Sequence, residues 1–487
     1  MKLLSQASLL GLPLVVNALA YDYIIIGGGT AGLTVANRLS EDRDKQVLVI
    51  EAGPNAENLQ EVFVPGLIGA GQALTTLNWA YTTVPQTHLN GRVLTINAGK
   101  TLGGSTVINS MIFPRAEKAQ YDAWGILNND SSWSWNALLP YFKKSEIFTP
   151  SKQIPTSERR EESLLLLSIR LNNTRCSAAC AYYTDFADRP NFTVLTNATV
   201  IRIIWTEQGR ESEITASAVE YIDANNETQV VNVSHGGEVI VSAGTIGTPK
   251  ILELSGVGNS SILQAAGVKP ILNLPSVGEN FADHVNSWVN AFTNSITNDL
   301  LLLHPTFAEQ QLNLWFENRT GFYSSVSRSL DIAAPSDIFN KSEFNHILEE
   351  SEEKLDYFAT LLSNGNPLLA RGIQAQHRLA LDLYRSNKNL PLEMSLRPSF
   401  FGNTSFEDRP ARTYMLTTGP MASIYEGEFE PGLDKVTDED IENWLRGVVQ
   451  SYTHEVGTMA MLPQGLGGVV DTKLRIYGLK NVRVAGM

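Results

Sequence analysis

Three glycines spaced as Gly27-x-Gly29-x-x-Gly32, followed nineteen residues later by Glu51, are the first residues whose types and spacing imply chemistry. Glycines at these intervals do separate jobs: Gly27 permits a tight turn, Gly29 lets backbone N–H groups approach a pyrophosphate, and Gly32 lets a helix press against a strand. The start of such a helix stabilises phosphate charge, and an acid at this distance can bond a ribose hydroxyl. The chemistry implied is the holding of a dinucleotide.

Those residues work only if regular elements position them. Tyr21–Ile26 reads as a short buried strand, and Leu33, Val35, Ala36 and Leu39 recur at helical spacing up to Ser40. Val47–Ile50 is a second buried strand that ends at Glu51. A GxGxxG alone is a weak signal; between strand and helix, with a second strand and an acid in place, it defines a βαβ unit.

Further glycine-rich segments follow at 99–111 and 244–258, the latter after the strand Glu238–Ser242, and a fourth segment runs from Leu274 to Asn280 and on to Asp283-His284. Gly99-Lys100-Thr101 is not a P-loop, because the required first glycine is Leu94. His454-Glu455 is not a zinc-protease helix, since the position of the second histidine holds Thr458. Gly104-Ser105 continues with Thr106-Val107, so no nucleophile elbow is present there.

Together the four segments resemble the glucose-methanol-choline (GMC) oxidoreductases, FAD-dependent alcohol oxidases and dehydrogenases. The flavour is that of fungal secreted aryl-alcohol oxidases and secondary-metabolite dehydrogenases. The likeness runs in order through nearly the whole chain, including Trp79–Thr83 and Tyr121–Trp124. It implies that Gly27, Gly29, Thr30, Ala31, Gly32, Glu51 and Ala52 hold the pyrophosphate and adenosine ribose of FAD. It makes Gly103, Gly104 and Ser105 further contacts of the cofactor, sets Asn109, Ser110, Met111 and Ile112 along the flavin, and puts the backbone of Val200 against the adenine. Ser451–Met461 resembles the family's catalytic His-x-Val-Gly-Thr segment, which makes His454 the base for the hydroxyl proton of a small alcohol, aromatic or from secondary metabolism. Imidazole suits that task near neutral pH. Oxygen or a quinone-type compound would take the electrons onward. His284 reads as a structural hydrogen-bonder, and no metal is expected.

The resemblance breaks in two places. Family members continue beyond Asn481–Val484 to a second catalytic His or Asn, whereas Ala485-Gly486-Met487 closes this sequence. Between Glu146 and Arg175 members carry several dozen more residues, and Ser157–Leu167 looks like a join. A second reading therefore stands beside the first: a flavin-scaffold protein without redox activity, cyclase-like or an inactive remnant.

Residues 1–20 read as a signal peptide, with Lys2 before an apolar stretch and Ala18-Leu19-Ala20 as the cleavage pattern. The stretch is shorter than the ~20 residues that span a bilayer. Asn-x-Ser/Thr sequons at Asn129, Asn172, Asn191, Asn197, Asn226, Asn232, Asn259, Asn318, Asn340 and Asn403 fit a secreted glycoprotein. A net charge of −14 argues against nucleic acid or anionic membranes as partners. Cys176 and Cys180 are too few for a disulfide framework; local geometry decides whether they bridge or stay free. The expected fold is α/β: a discontinuous FAD domain of Rossmann-like type (21–145, 185–285, 450–487) and a substrate domain (146–184, 286–449) with helices and an antiparallel sheet. The oligomeric state is left open.

Overall fold

The computed structural model describes residues 20–147, 169–206, 214–293, 297–324, 326, 329–333, 339–388, 392–396, 413–414, 425–432, 434–435 and 437–486. The expected signal peptide, apart from Ala20, and the join at 157–167 lie outside them, as does the sequon at Asn403.

The central sheet has seven strands. They are β1 (Ala20–Ile26), β2 (Val47–Ile50), β3 (Phe192–Leu195), β4 (Thr199–Trp205), β5 (Ala216–Ile222), β6 (Thr228–Val241) and β7 (Val482–Val484). β3, β2, β1, β6 and β7 lie side by side in parallel, while β4 and β5 add an antiparallel arm to the first half of β6. The fourteen residues of β6 serve both parts: Thr228–Asn232 pair with β5 and Val239–Val241 with β7.

The unbroken Ile24-Ile25-Ile26 and Val47–Ile50 runs have a simple cause, because a parallel sheet is covered on both faces. Alternation sends Ile24, Ile26, Leu48 and Ile50 into one cluster with Val241, Met459, Val469 and Val482. Ile25, Val47 and Val49 meet Leu33 and Ala36 of α1 (Thr30–Leu39) on the other face. Ala178 and Ala179, expected with the substrate domain, sit in this second cluster. Cys176 and Cys180 form a disulfide with Cα atoms 5.3 Å apart, which decides the question their spacing left open.

Within 286–449, Asn290–Thr293 pairs antiparallel with Thr413–Tyr414 and Tyr425–Glu430, and Ser329–Ala333 with Leu392–Leu396. The amphipathic stretch Phe344–Leu362 is two helices, Lys341–Glu353 and Leu355–Leu362, parted at Lys354. Asn340 opens the first with a capping box to Glu343. Met394–Phe401 reads from its sequence as a β-rich stretch; its first residues close the strand Leu392–Leu396, and 397–401 lie outside the described residues. Among the described residues no helix is long and apolar enough to cross a membrane.

Candidate active site

α1 starts at Thr30 with Gly29 as N-cap, no side-chain cap and no acid in its first turn. Its leading N–H groups therefore have neither an intrahelical acceptor nor a capping side chain, and the helix dipole favours an anion there. Thr30 is exposed, and Ala31 is half-buried. A Cβ on Gly32 would lie 2.0 Å from the carbonyl oxygen of Gly27, so the helix can seat against the turn only because position 32 has no side chain.

Glu51 closes β2 beside this turn. Its carboxylate accepts the N–H of Gly28 at 2.8 Å and that of Gly53 at 2.8 Å. Burial pushes its pKa up to about 7, against the pull of the Gly53 and Gly28 N–H groups and of the Lys100 charge. The folded value lies above the unfolded 4.5, so the contribution is fully present below pH 4.5 and is lost as pH rises through 7. Glu51 alone should thus lower the stability of the ligand-free protein by on the order of 3 kcal/mol between pH 4 and 8. Urea midpoints across that range should show the slope in the wild type and a flatter one in Glu51→Gln. Equal slopes would contradict it.

The segment at 99–111 lies directly on the glycine turn. Gly103 N–H donates to the Gly28 carbonyl at 2.8 Å, and Leu102 N–H to that of Pro54 at 2.9 Å. Gly104, at φ +56°, approaches Gly29 so closely that a Cβ would fall 2.7 Å from the Gly29 Cα. The Ser105 hydroxyl is engaged locally, accepting the N–H of Gly99 at 3.1 Å. The Asn109 side-chain oxygen accepts from Met111 N–H at 3.0 Å and from Arg175 Nη1 at 2.8 Å. Arg175 also donates to the carbonyls of Val62 and Thr106, and burial lowers its pKa to about 10. Met111 is fully buried, with half-buried Ser110 and Ile112 on either side. Ala52 is half-buried between Glu51 and Gly53. Val200 is the second residue of β4, paired with Tyr221 and two residues after Ala198, whose N–H donates to the Glu51 carbonyl at 2.9 Å.

His454 sits on a loop paired with the fourth segment. Gln450–Ser451 forms a two-residue antiparallel ladder with Val285–Asn286, and Ala282 and Val456 exchange backbone hydrogen bonds at 3.0 and 2.8 Å. Side chains in such a ladder alternate faces. Asp283 and Ser451 meet on one face, where the Ser451 hydroxyl donates to the carboxylate. The other oxygen of Asp283 accepts His454 N–H at 2.9 Å. His284, Tyr452 and His454 gather on the opposite face: the two Nδ1 atoms are 3.2 Å apart, and the Tyr452 ring meets His454 edge-on at 4.6 Å between centroids. His454 remains exposed.

Glu455 Oε1 is buried without a hydrogen-bond partner, and burial, then the Asp283 charge, raises the carboxyl's pKa. The loop is anchored by Thr245 Oγ1, which donates to the Glu455 carbonyl at 2.7 Å, and by Thr458 Oγ1, which donates to the Thr245 carbonyl at 2.6 Å. Thr245 lies in the first turn of the helix Gly244–Leu254, just past the end of β6, where Ser242 N–H donates to the Ile26 carbonyl at 2.7 Å. The imidazole loop and the glycine turn therefore share the C-terminal edge of the parallel strands, the edge where open α/β sheets bind ligands.

The structure brings the glycine turn, Glu51, Gly103–Gly104 and Asn109 into one cradle. It adds Arg175, which the motifs did not single out, while Asp283, named only as the end of the fourth segment, joins the His454 loop. His284 was legible only as a member of the fourth segment. Among the described residues no cluster of ligand side chains could hold a metal ion.

A parallel core of strands with a phosphate-ready helix start, a buried acid closing the second strand and a paired, exposed imidazole at the same edge is the arrangement of a dinucleotide-binding scaffold that can move a proton. Comparison with known proteins specifies which. The N-terminal GMC oxidoreductase family model matches residues 21–171 and 157–286, and the C-terminal one matches 406–487. The chain belongs to the GMC oxidoreductases, FAD-dependent enzymes acting on alcohols or sugars. A dehydrogenase of Armillaria gallica is 30% identical over 95% of this chain and 88% of its own. Pyranose dehydrogenase 3 of Leucoagaricus meleagris is 28% identical, over 95% and 88%. The structure of an FAD-dependent oxidoreductase from Chaetomium thermophilum superposes with a TM-score of 0.79 at 27% identity, over 95% of this chain and 94% of that one.

Proposed function

We propose that this protein oxidises the CH–OH group of a small alcohol, with His454 as the base that takes the hydroxyl proton. The observation that carries the reading is an exposed imidazole held by a doubly anchored loop at the same sheet edge as the cradle. Glu51 and Ala52 would hold the adenosine ribose, and Gly27, Gly29, Thr30, Ala31 and Gly32 the pyrophosphate. Gly103–Ser105 and Asn109–Ile112 would flank the flavin, with Val200 at the adenine. The bare helix start and the close approach of Gly104 to Gly29 suit that group. Bound FAD supplies the hydride acceptor. The protein's own part is to hold the carbinol, shed water and receive the proton on His454. Anaerobic addition of aromatic and aliphatic alcohols to the yellow protein should bleach its visible absorption. A spectrum unchanged by every alcohol, but bleached by sugars, would overturn the substrate class.

We also infer passage through the secretory pathway. The Cys176–Cys180 disulfide and the exposed sequons at Asn129, Asn172, Asn197, Asn226, Asn318 and Asn340 support it. Asn191 is different: it is 2% exposed, and its amide donates to the carbonyls of Ser40, Asp42 and Lys45. Mass spectrometry of protein secreted from a fungal host should find glycans on exposed sites and none on Asn191. A glycan at Asn191 would contradict the packing around it.

A further inference from the structure

We propose that His284 is the positioning residue for His454: its Nδ1 accepts the Nδ1–H of His454 and so makes Nε2 of His454 the basic atom. The inference rests on the reading of His454 as base. At 3.2 Å the two Nδ1 atoms share one hydrogen, and a neutral imidazole has one donor and one acceptor nitrogen. Were His284 the donor, the lone pair of His454 would be spent on it, and nothing would remain for a hydroxyl proton. With His454 as donor, its lone pair lies on Nε2, the nitrogen that does not face His284. The hydroxyl O–H bond then breaks, an Nε2–H bond forms, and the Nδ1–H···Nδ1 bond persists through the change.

The dipeptide Asp283-His284 is built to hold this geometry. Asp283 accepts the backbone N–H of His454, and the His284 carbonyl accepts that of Tyr452 at 2.9 Å, so both rings ride on a fixed ladder. The edge of Tyr452 limits rotation of His454 from a further side. Among the described residues, charged groups beside the pair include Asp283, occupied by the Ser451 hydroxyl and the His454 N–H, and Glu455, the next residue along. This is the orienting role that lets an imidazole act through one defined nitrogen.

The test uses purified protein labelled with ¹⁵N-histidine, together with His284→Leu and His284→Asn. The His454 signals are assigned by their loss in His454→Gln. In the neutral wild type, Nδ1 of His454 should carry the hydrogen and Nε2 should be bare. His284→Leu should lose that fixed tautomer and lower the rate of flavin reduction on the order of 10-fold or more with KM little changed, short of the loss when the base itself is removed. His284→Asn, whose amide oxygen can accept the same hydrogen, should restore both. A wild-type His454 with its hydrogen on Nε2, or a leucine variant with wild-type tautomer and rate, would overturn the proposal. If no alcohol reduces the wild type, the reading of function fails while the tautomer still decides the pairing. If alcohols reduce every variant equally, the pairing fails and the reading stands.

Discussion

His454→Gln should slow flavin reduction by the substrate alcohol ~10²–10⁴-fold, the usual worth of a general base, while FAD stays bound. Glutamine nearly fills the volume of the imidazole but cannot take a proton near neutral pH. The loop should survive the exchange, because its anchors do not use the ring. His454 is tied to Asp283 through its backbone N–H, and Thr245 and Thr458 fasten the residues that follow. Stopped-flow reduction at saturating alcohol separates the two effects, since the absorbance before mixing reports bound FAD and its decay reports chemistry. A variant that stays yellow and reduces within a few-fold of the wild type would remove His454 from the mechanism. A colourless variant would show that the residue supports the fold.

Gly32→Val should cost the cradle rather than the chemistry. A Cβ at this position lies 2.0 Å from the Gly27 carbonyl oxygen and 3.2 Å from a methyl of Ile25, so α1 must back away from β1. Its N-terminal N–H groups would then retreat from the site where an anion is to lie. Overpacking of this kind costs roughly 1–3 kcal/mol, so FAD binding should weaken by about 100-fold if most of that falls on the bound state. Gly447→Ala is the control: it sits inside the helix Asp438–Val448 with nothing within 4 Å of the added Cβ. The ratio of flavin to protein absorbance after purification should drop for the first variant and hold for the second. Equal ratios would mean that the close contact at Gly32 does not shape the site.

The βαβ unit was legible because its signal is contiguous. Periodicity, glycine spacing and the acid at Glu51 fall within about thirty residues, and the register Tyr23–Val47 to Ile26–Ile50 follows from the hydrophobic pattern. His454 was legible as a motif. Its partner was not, because a two-residue ladder joins segments about 170 residues apart, too short to leave a periodic trace. Arg175 was hidden for a related reason: its acceptors are backbone carbonyls of Val62 and Thr106, which carry no residue signature. Ala178 and Ala179 pack against α1 because they are small, and small residues announce neither strand nor helix. The break at Lys354 interrupts a stretch whose apolar pattern reads as continuous.

Glu51, the glycine turn and the Gly103–Gly104 segment are proposed to form one cradle for FAD. Titration of the flavin-free protein with FAD, followed by quenching of flavin fluorescence, addresses it most directly. Binding should saturate at one FAD per chain and be weaker in Gly32→Val and in Glu51→Gln. Folded protein that leaves the fluorescence of added FAD unquenched would contradict it.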